Sequence, residues 1–189
     1  YNGYIMSEIQ VNTINEYTSG NGVSVDGLSI KDGQVTDFMF DIWRQTTDTT
    51  GSAGDYTLTS NWERVDDTTI GFIGTGMSES SGIFTFPQTG IYKITFSLEV
   101  KNSTTTDGVR AEIHATTNNS SYSTIVVREI SIRSSGDTEE GYAITTFDCT
   151  DTSTHKLKFV AADFKSSSII NGSSTNSETY VIFERLGAT

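Results

Sequence analysis

The side chains best suited to catalysis are the two histidines, His114 and His155, which lie far apart in the sequence. Neither has a partner at the short spacing that zinc sites use. A catalytic triad would also need a nucleophile and an acid at defined geometry, and no such constellation is visible. We expect His114 on the polar side of a strand and His155 at a strand start, both as ordinary exposed residues. The sequence therefore predicts a protein that is not an enzyme.

The acidic residues offer one candidate cation site. Asp66 and Asp67 are adjacent, Asp48 and Asp55 precede them, and hard oxygen ligands of this kind suit calcium. A solvated turn is the simpler explanation in a chain with 24 Asp and Glu residues. No compact acidic loop is recognisable, so we expect no cofactor and no metal site, and calcium stays an unsupported alternative. Cys149 is the single cysteine; we expect it to be buried and inert.

The overall charge excludes some partners. The chain carries a formal net charge of −12, which opposes binding to nucleic acid or to an anionic membrane through a positive surface. No apolar stretch approaches the roughly 20 residues that a membrane helix needs. The glycine-rich run 71–76 lacks the lysine and the helix that follow a phosphate loop, and it predicts a strand and a turn instead. We expect neither nucleic-acid binding nor membrane insertion.

The composition predicts an all-β fold. Ser, Thr, Asn and Gly are abundant, helix formers are sparse, and Val, Ile, Thr, Tyr and Phe recur in short runs. The clearest strand is 91–100, where apolar and polar side chains alternate strictly. Tyr92 and Phe96 share its apolar face, so we expect them in the core or at a subunit interface.

Similar short runs of apolar and polar residues predict further strands, about eight to ten in all. This number of short strands joined by polar loops indicates an antiparallel jelly-roll β-sandwich. In residues 38–43, Phe38, Phe40 and Ile42 are expected on one side and Met39 and Trp43 on the other. A long loop is expected at 46–55. The other expected strands are 70–73, 83–86, 110–115, 124–133, 142–149, 156–161 and 179–186.

The last of these strands is apolar on both faces. Tyr180 and Ile182 lie on one face, and Val181 and Phe183 lie on the other. A strand of this kind in an antiparallel sandwich needs a second cover, and another subunit would supply it. We therefore expect Tyr180, Val181 and Phe183 in the core or at a trimer interface.

The first 36 residues differ from the rest. Two very short apolar strands, at Val23 and Val25 and at Leu28 and Ile30, alternate with Asn-Gly and Asp-Gly turns. Strands this short cannot bury their apolar sides within the segment. We expect residues 1–36 to form an intersubunit stem or collar that drives trimerisation, and residues 37–189 to form the head domain.

One run carries a family resemblance. In residues 82–96, Gly82 opens a strand, Pro87 ends it, Gly90 completes the turn, and two aromatic residues follow two pleats apart. This run resembles the signature strand pair of the complement one-q globular head, a relative of the tumour necrosis factor jelly roll. The closing run 178–186 is similar to the last core strand of that family.

Other runs resemble a viral version of the same head. Residues 41–44, 62–67 and 74–77 are similar to segments of phage and environmental viral structural proteins. Residues 11–33 are similar to repeats that precede such heads in phage fibre and tail proteins. The resemblance implies a ten-stranded jelly roll, a tight homotrimer, and ligand recognition on loops or between subunits. The chain has no collagen-like Gly-X-Y repeat, which favours a viral fibre over an immune role.

These observations lead to one functional hypothesis. The chain is expected to be the trimeric head of a capsid or tail fibre at the virion surface, binding a host cell-surface glycan or protein and contacting other virion proteins through its stem. Aromatic and amide residues on loops are the candidate ligand contacts: Tyr56, Asn118, Asn119 and Tyr122. The alternative is a secreted binding module of the same fold, lectin-like or cytokine-like. A glycan-cleaving tailspike is disfavoured, because no catalytic cleft is indicated.

Overall fold

The computed structural model describes residues 38–65, 67–103, 108–131 and 134–189 in full, together with the backbone of three short strands before them. The chain divides into two units, Tyr1–Asp37 and Phe38–Thr189. In the first unit, β1 (Val23–Val25), β2 (Leu28–Lys31) and β3 (Gln34–Val35) form an antiparallel sheet in that order. The two short strands expected here are confirmed. The side chains of Val23, Val25, Leu28 and Ile30 and all of residues 1–22 lie outside the described residues.

The described part of the second unit contains thirteen strands and no helix. The first six are β4 (Met39–Gln45), β5 (Thr47–Thr50), β6 (Gly54–Thr57), β7 (Trp62–Arg64), β8 (Ser78–Ser80) and β9 (Ile83–Thr85). The remaining seven are β10 (Gly90–Lys101), β11 (Val109–Thr116), β12 (Ser123–Ile130), β13 (Thr138–Cys149), β14 (Lys156–Phe164), β15 (Ile169–Ser173) and β16 (Tyr180–Gly187).

These strands build two antiparallel sheets. The front sheet has the order β5-β15-β10-β16-β4-β7, and β13 pairs with β10 along the whole of both strands. The back sheet has the order β12-β11-β14-β9-β8, and β6 pairs with β14. The chain crosses between the sheets repeatedly, from β9 to β10, from β10 to β11, from β12 to β13 and from β13 to β14. This crossing packs one face of each sheet against the other.

The core lies between the two sheets and follows the alternation of the sequence. The apolar face predicted for β10 is fully buried in the chain: Tyr92, Ile94, Phe96, Leu98 and Val100. The inward residues of β11 are buried as well: Ala111, Ile113 and Ala115. Period-two patterning therefore identified the core strands correctly.

An aromatic cluster centred on Phe84 of β9 joins the sheets. Its ring lies 5.3 to 5.6 Å from Trp43 and Trp62 in edge-on geometry, and 5.3 Å from Phe159 and Phe183. Edge-to-face pairs add stability beyond the area they bury. The front sheet supplies Trp43, Trp62 and Phe183, so the cluster fixes the spacing of the two layers.

Three expectations need correction. Residues 46–55 are not a long loop: β5 lies within them and β6 begins there, because both strands pair through backbone groups although β5 is wholly polar. Residues 70–73 are not a strand; they make one isolated bridge, between Ile73 and Phe40, and Ile70, Phe72 and Ile73 are exposed. The expected number of strands was also too low, since short polar strands carry no apolar alternation.

Candidate functional site

The outer face of the front sheet is rich in large apolar side chains. The register places Ile144 of β13, Thr95 of β10, Ile182 of β16 and Ile42 of β4 in one row across four strands. The neighbouring rows add Tyr142 and Tyr180 on one side and Phe40 on the other. Ile144 is 54% exposed and Tyr142 is 45% exposed. Exposed apolar side chains grouped on one sheet face are typical of protein interaction surfaces.

The residues predicted from the sequence for the core or the trimer interface divide between the core and this face. Tyr92, Phe96, Val181 and Phe183 are fully buried by the chain itself and belong to the core. Tyr180 is half-buried and lies on the outer face, in register with Ser97. Sequence analysis missed Tyr142 and Ile144 as surface residues. The signal was their alternation with Ala143, whose side chain points inward.

Polar groups on the outer face pair with each other. Ser97 Oγ donates to Glu140 Oε1 at 2.5 Å, and Lys93 Nζ lies 2.6 Å from Glu184 Oε2. A hydrogen bond with Glu140, together with partial burial and a contact with Tyr180, raises the pKa of Tyr142 well above its usual value. The phenol therefore stays neutral at physiological pH. Such internal pairing lowers the cost of covering these polar groups.

A second feature is a polar network at the edge of the sandwich, centred on Asp41. The Asp41 side chain is fully buried and accepts hydrogen bonds from Trp43 Nε1 at 2.9 Å, Arg64 Nε at 3.0 Å and the backbone nitrogen of Met77 at 2.7 Å. Arg64 Nη2 donates to the second Asp41 oxygen at 3.3 Å and also to Met77 O. A buried carboxylate is tolerated only with such a full set of donors.

The Arg64 guanidinium is also enclosed by aromatic rings. Its central carbon lies 4.8 Å from the centroid of Trp43 and 4.8 Å from that of Phe72. Cation–π contacts of this kind fix the orientation of the planar group. The side chain keeps 25% of its surface exposed.

Two glycines allow the loop before β8 to reach this network. Gly76 has a φ of +71°, and a Cβ at this position would lie 2.8 Å from Asp41 Oδ2. Gly74 has a φ of +79°, and a Cβ there would lie 2.9 Å from Phe38 O. Left-handed backbone at such close approach requires glycine. The run 74–77 noted in the sequence is thus the loop that carries Met77 to Asp41.

A cleft of about 440 Å³ opens beside this network. Both sheets contribute to it through their edge strands, β7 of the front sheet and β8 of the back sheet. Its walls are formed by Trp43, Arg64, Thr75, Gly76, Met77, Ser78, Glu79 and Pro87. The volume lies in the range of small-molecule sites.

The four predicted ligand contacts do not form one site. Tyr56 was expected on a loop, which is wrong: it lies in β6 opposite Ala161 and packs against Phe164 at 6.0 Å. Tyr122 is half-buried beneath Lys158, whose Nζ lies 4.8 Å from the ring centroid. Burial raises the pKa of the Tyr122 phenol, which has no hydrogen-bond partner among the described residues.

Asn118 and Asn119 shape a turn. Asn118 Oδ1 accepts from the backbone nitrogens of Ser120 at 3.0 Å and Ser121 at 2.9 Å. Asn119 has a φ of +53°, and its backbone nitrogen donates to Thr154 O at 2.9 Å. Asparagine is common at such positions because its side chain can mimic a backbone turn. Their role as ligand contacts stays a prediction.

The histidines are less exposed than expected. His114 is half-buried, and its Nε2 lies 2.8 Å from Glu112 Oε2 and 3.0 Å from Thr124 Oγ1. The same ring nitrogen contacts both groups, whereas a triad needs the hydroxyl on one ring nitrogen and the carboxylate on the other. His155 is 8% exposed, with Nδ1 3.1 Å from Thr154 Oγ1. Cross-strand packing of β11 partly covers the His114 ring, and the turn before β14 covers the His155 ring.

The acids considered for a cation site bond to separate backbone nitrogens. Asp67 Oδ1 accepts from the backbone nitrogens of Thr69 and Ile70, and hydrogen bonds with these two residues hold the pKa of Asp67 below its usual value. Asp48 accepts from Gly172 N at 3.1 Å, and Asp55 accepts from the backbone nitrogen of Asp163 at 3.3 Å. Asp66 lies outside the described residues. Within the described ranges, no group of three or more His, Cys, Asp or Glu residues is arranged to hold a metal.

Cys149 is buried at the end of β13, as expected. Burial raises the pKa of its thiol to about 11. A neutral thiol is a poor nucleophile, so this cysteine is a packing residue.

Glu112 gives the stability of the head a defined pH dependence. Burial alone would raise its pKa, but hydrogen bonds from His114 and Arg110 hold it below the usual value. A carboxyl with a lowered folded-state pKa stabilises the fold above its unfolded pKa of about 4.3, and this contribution is lost as the pH falls through the folded value. We expect the melting temperature of Glu112→Gln to fall less steeply between about pH 5 and pH 3 than that of the wild type, as measured by circular dichroism.

The exposed Glu129 of β12 provides the matched control. Glu129→Gln should keep the wild-type slope, since only the buried carboxylate gains its donors on folding. Equal slopes for the Glu112 variant and the wild type would contradict the assignment.

The fold and the comparisons together define the class of structure. Two antiparallel sheets packed face to face, with a chain that crosses between them, form a jelly-roll sandwich of the tumour necrosis factor type. No helix in the described residues is long and apolar enough to span a membrane.

Solved structures agree with this class. Murine APRIL at pH 5.0 matches with a TM-score of 0.56 and 13% identity, over 79% of this chain and 99% of that chain. Eiger TNF from S. frugiperda matches with a TM-score of 0.51 and 11% identity, over 81% of this chain and 95% of that chain. The PRD1 vertex protein P5 matches with 18% identity over 83% of this chain and 100% of that chain, but its TM-score of 0.47 is too low to establish a common fold.

These identities establish the fold alone. No protein-family model matches the sequence, and no curated protein does.

Proposed function

We propose that this chain is a non-enzymatic binding head that assembles as a homotrimer. The observation that carries the proposal is the apolar outer face of the front sheet, with Tyr142 and Ile144 largely exposed and Ile182 and Ile42 beside them. The sheet's other face is already covered by the back sheet, so this one calls for a partner. A trimer is the assembly that the complement one-q and tumour necrosis factor resemblance implies.

A closed trimer requires a second patch. Three subunits form a ring through one heterologous contact, in which the outer face of one subunit meets a different surface of the next. Strand β12 is an edge strand of the back sheet, and it exposes Ile125 and Val127. This edge supplies an apolar surface that can pack on the neighbour's outer face.

The proposed setting is the surface of a virion, with the head at the tip of a capsid or tail fibre. The support is the similarity of runs 41–44, 62–67 and 74–77 to phage and environmental viral structural proteins. Residues 1–36 would form the stem that joins the subunits and contacts other virion proteins. The ligand would be a host cell-surface glycan or protein, bound by three weak sites whose combined avidity exceeds each single affinity.

The mass of the assembled protein tests the trimer. Light scattering after gel filtration at micromolar concentration should give three times the chain mass of 20.6 kDa. A mass of one chain under these conditions would count against the proposal.

A separate measurement tests the setting. Gold-labelled antibody against the chain should decorate purified virus particles from the source culture. Label confined to secreted material would favour the alternative, a secreted binding module of the same fold.

A further inference from the structure

The cleft at the sandwich edge contains a guanidinium that is only partly used by the chain. Arg64 commits Nε and Nη2 to Asp41 and Met77 O. Its other terminal nitrogen, Nη1, has no acceptor among the described residues, and Arg64 lines the cleft with part of its surface exposed. Contacts with the Trp43 and Phe72 rings, each 4.8 Å from its central carbon, restrict its rotation. A ligand therefore meets a fixed donor at no ordering cost.

The other residues that line the cleft add groups of mixed character. Thr75 and Ser78 present exposed hydroxyls, which both donate and accept. Glu79 accepts from the backbone nitrogen of Gly82 with Oε1 at 2.6 Å, so its second oxygen is available as an acceptor. Pro87 contributes an apolar wall. The cleft thus combines closely spaced donors and acceptors with an apolar surface.

Charge decides between ligand classes. The positive charge of Arg64 is balanced by buried Asp41 at 3.0 Å, and Glu79, which has no ion-pair partner among the described residues, adds a negative charge at the cleft. The chain as a whole carries −12. A phosphate, a sulfate or an acidic sugar would be repelled, whereas a neutral polyhydroxyl ligand pays no such penalty.

We propose that this cleft binds one or two neutral sugar residues of a cell-surface glycan. The hydroxyls of such a sugar match the donors and acceptors of Arg64, Thr75, Ser78 and Glu79, and its apolar C–H face packs on Pro87. The inference rests on the proposed function, because it names the ligand class of the binding head. It also places the ligand site at the edge between β7 and β8, whereas the sequence analysis predicted ligand contacts on loops.

Saturation-transfer NMR on the full chain tests the proposal. The probes are the methyl glycosides of glucose, galactose, mannose and N-acetylglucosamine, with sialyllactose as the anionic comparator. At least one neutral glycoside should bind saturably with a dissociation constant on the order of 1 mM, and sialyllactose should not bind through its acidic sugar. Absence of saturable binding for all four glycosides would overturn the proposal.

Two substitutions on one edge strand locate the site. Ser78→Tyr fills the cleft with an aromatic ring and should weaken glycoside binding at least roughly tenfold. Ser80→Tyr adds the same ring at an exposed position of the same strand that does not line the cleft, and it should bind like the wild type. Equal binding by the two variants would overturn the assignment.

A milder variant and a mass measurement separate the possible failures. Thr75→Val keeps the side-chain shape and removes one hydroxyl, so it should weaken binding about three-fold or more, consistent with loss of one net hydrogen bond. If the protein is trimeric and adheres to cells but binds no neutral glycoside, the proposal of a sugar site in the cleft is wrong, whereas the proposal of a trimeric binding head is unaffected. If the chain is monomeric, the proposed assembly is wrong whatever the cleft binds.

Discussion

Replacing Ile144 with glutamate should give a folded head that no longer assembles, so that its mass falls from three chains to one. Ile144 is 54% exposed in the single chain and sits opposite Thr95 on the outer face. In the monomer the new carboxylate stays in water and costs little. In a trimer it would be buried without a partner at each of three contacts, at about 3 kcal/mol or more per contact.

The control for this experiment is an equivalent change on the other sheet. Ile83 of β9 is 38% exposed and belongs to the back sheet, away from the outer face of the front sheet. Ile83→Glu should keep the trimer mass, and circular dichroism should show the same β-sheet spectrum for both variants. If Ile144→Glu remained trimeric at low micromolar concentration, the outer face would not be the assembly surface.

The sequence predicted the core better than the surface. Strict alternation in β10 identified Tyr92 and Phe96 as inward residues, because one covered face leaves a period of two in any strand. The alternation in β13 places Tyr142 and Ile144 outward but does not show that they belong to a larger apolar surface. A single exposed isoleucine is ordinary. These residues form a surface only through the register that places β13, β10, β16 and β4 side by side, and register is a property of the whole sheet.

The edge cleft could not be predicted from the sequence, because it also depends on contacts between distant residues. Its network joins Asp41 to Arg64 and to the backbone of Met77, which is 36 residues further along the chain. The sequence singled out runs around all three residues but gave no sign that they meet. Nothing local marks an aspartate as buried, and only the left-handed turns at Gly74 and Gly76 bring the third partner into contact.

The same network makes Asp41 the polar residue whose loss should cost the most stability. Asp41→Ala removes the acceptor for Trp43 Nε1, for Arg64 and for the buried nitrogen of Met77 at once. Breaking a buried ion pair from one side typically costs about 3 kcal/mol or more, because the remaining partners stay desolvated. For a domain of this size, such a loss lowers the melting temperature by roughly 10 °C.

A second ion pair provides the comparison that makes this prediction specific. Asp163 pairs with Arg110 but is 48% exposed, and Arg110 keeps Glu112 as another partner at 3.0 Å. Asp163→Asn suits the left-handed backbone at this position and should change stability by less than about 1 kcal/mol. Melting curves must be compared at equal chain concentration, since assembly contributes to the stability of each variant. Similar melting temperatures for Asp41→Ala and Asp163→Asn would show that the edge network does not hold the two sheets together. The cleft beside the network would then lack the rigid arginine on which the proposed sugar binding depends.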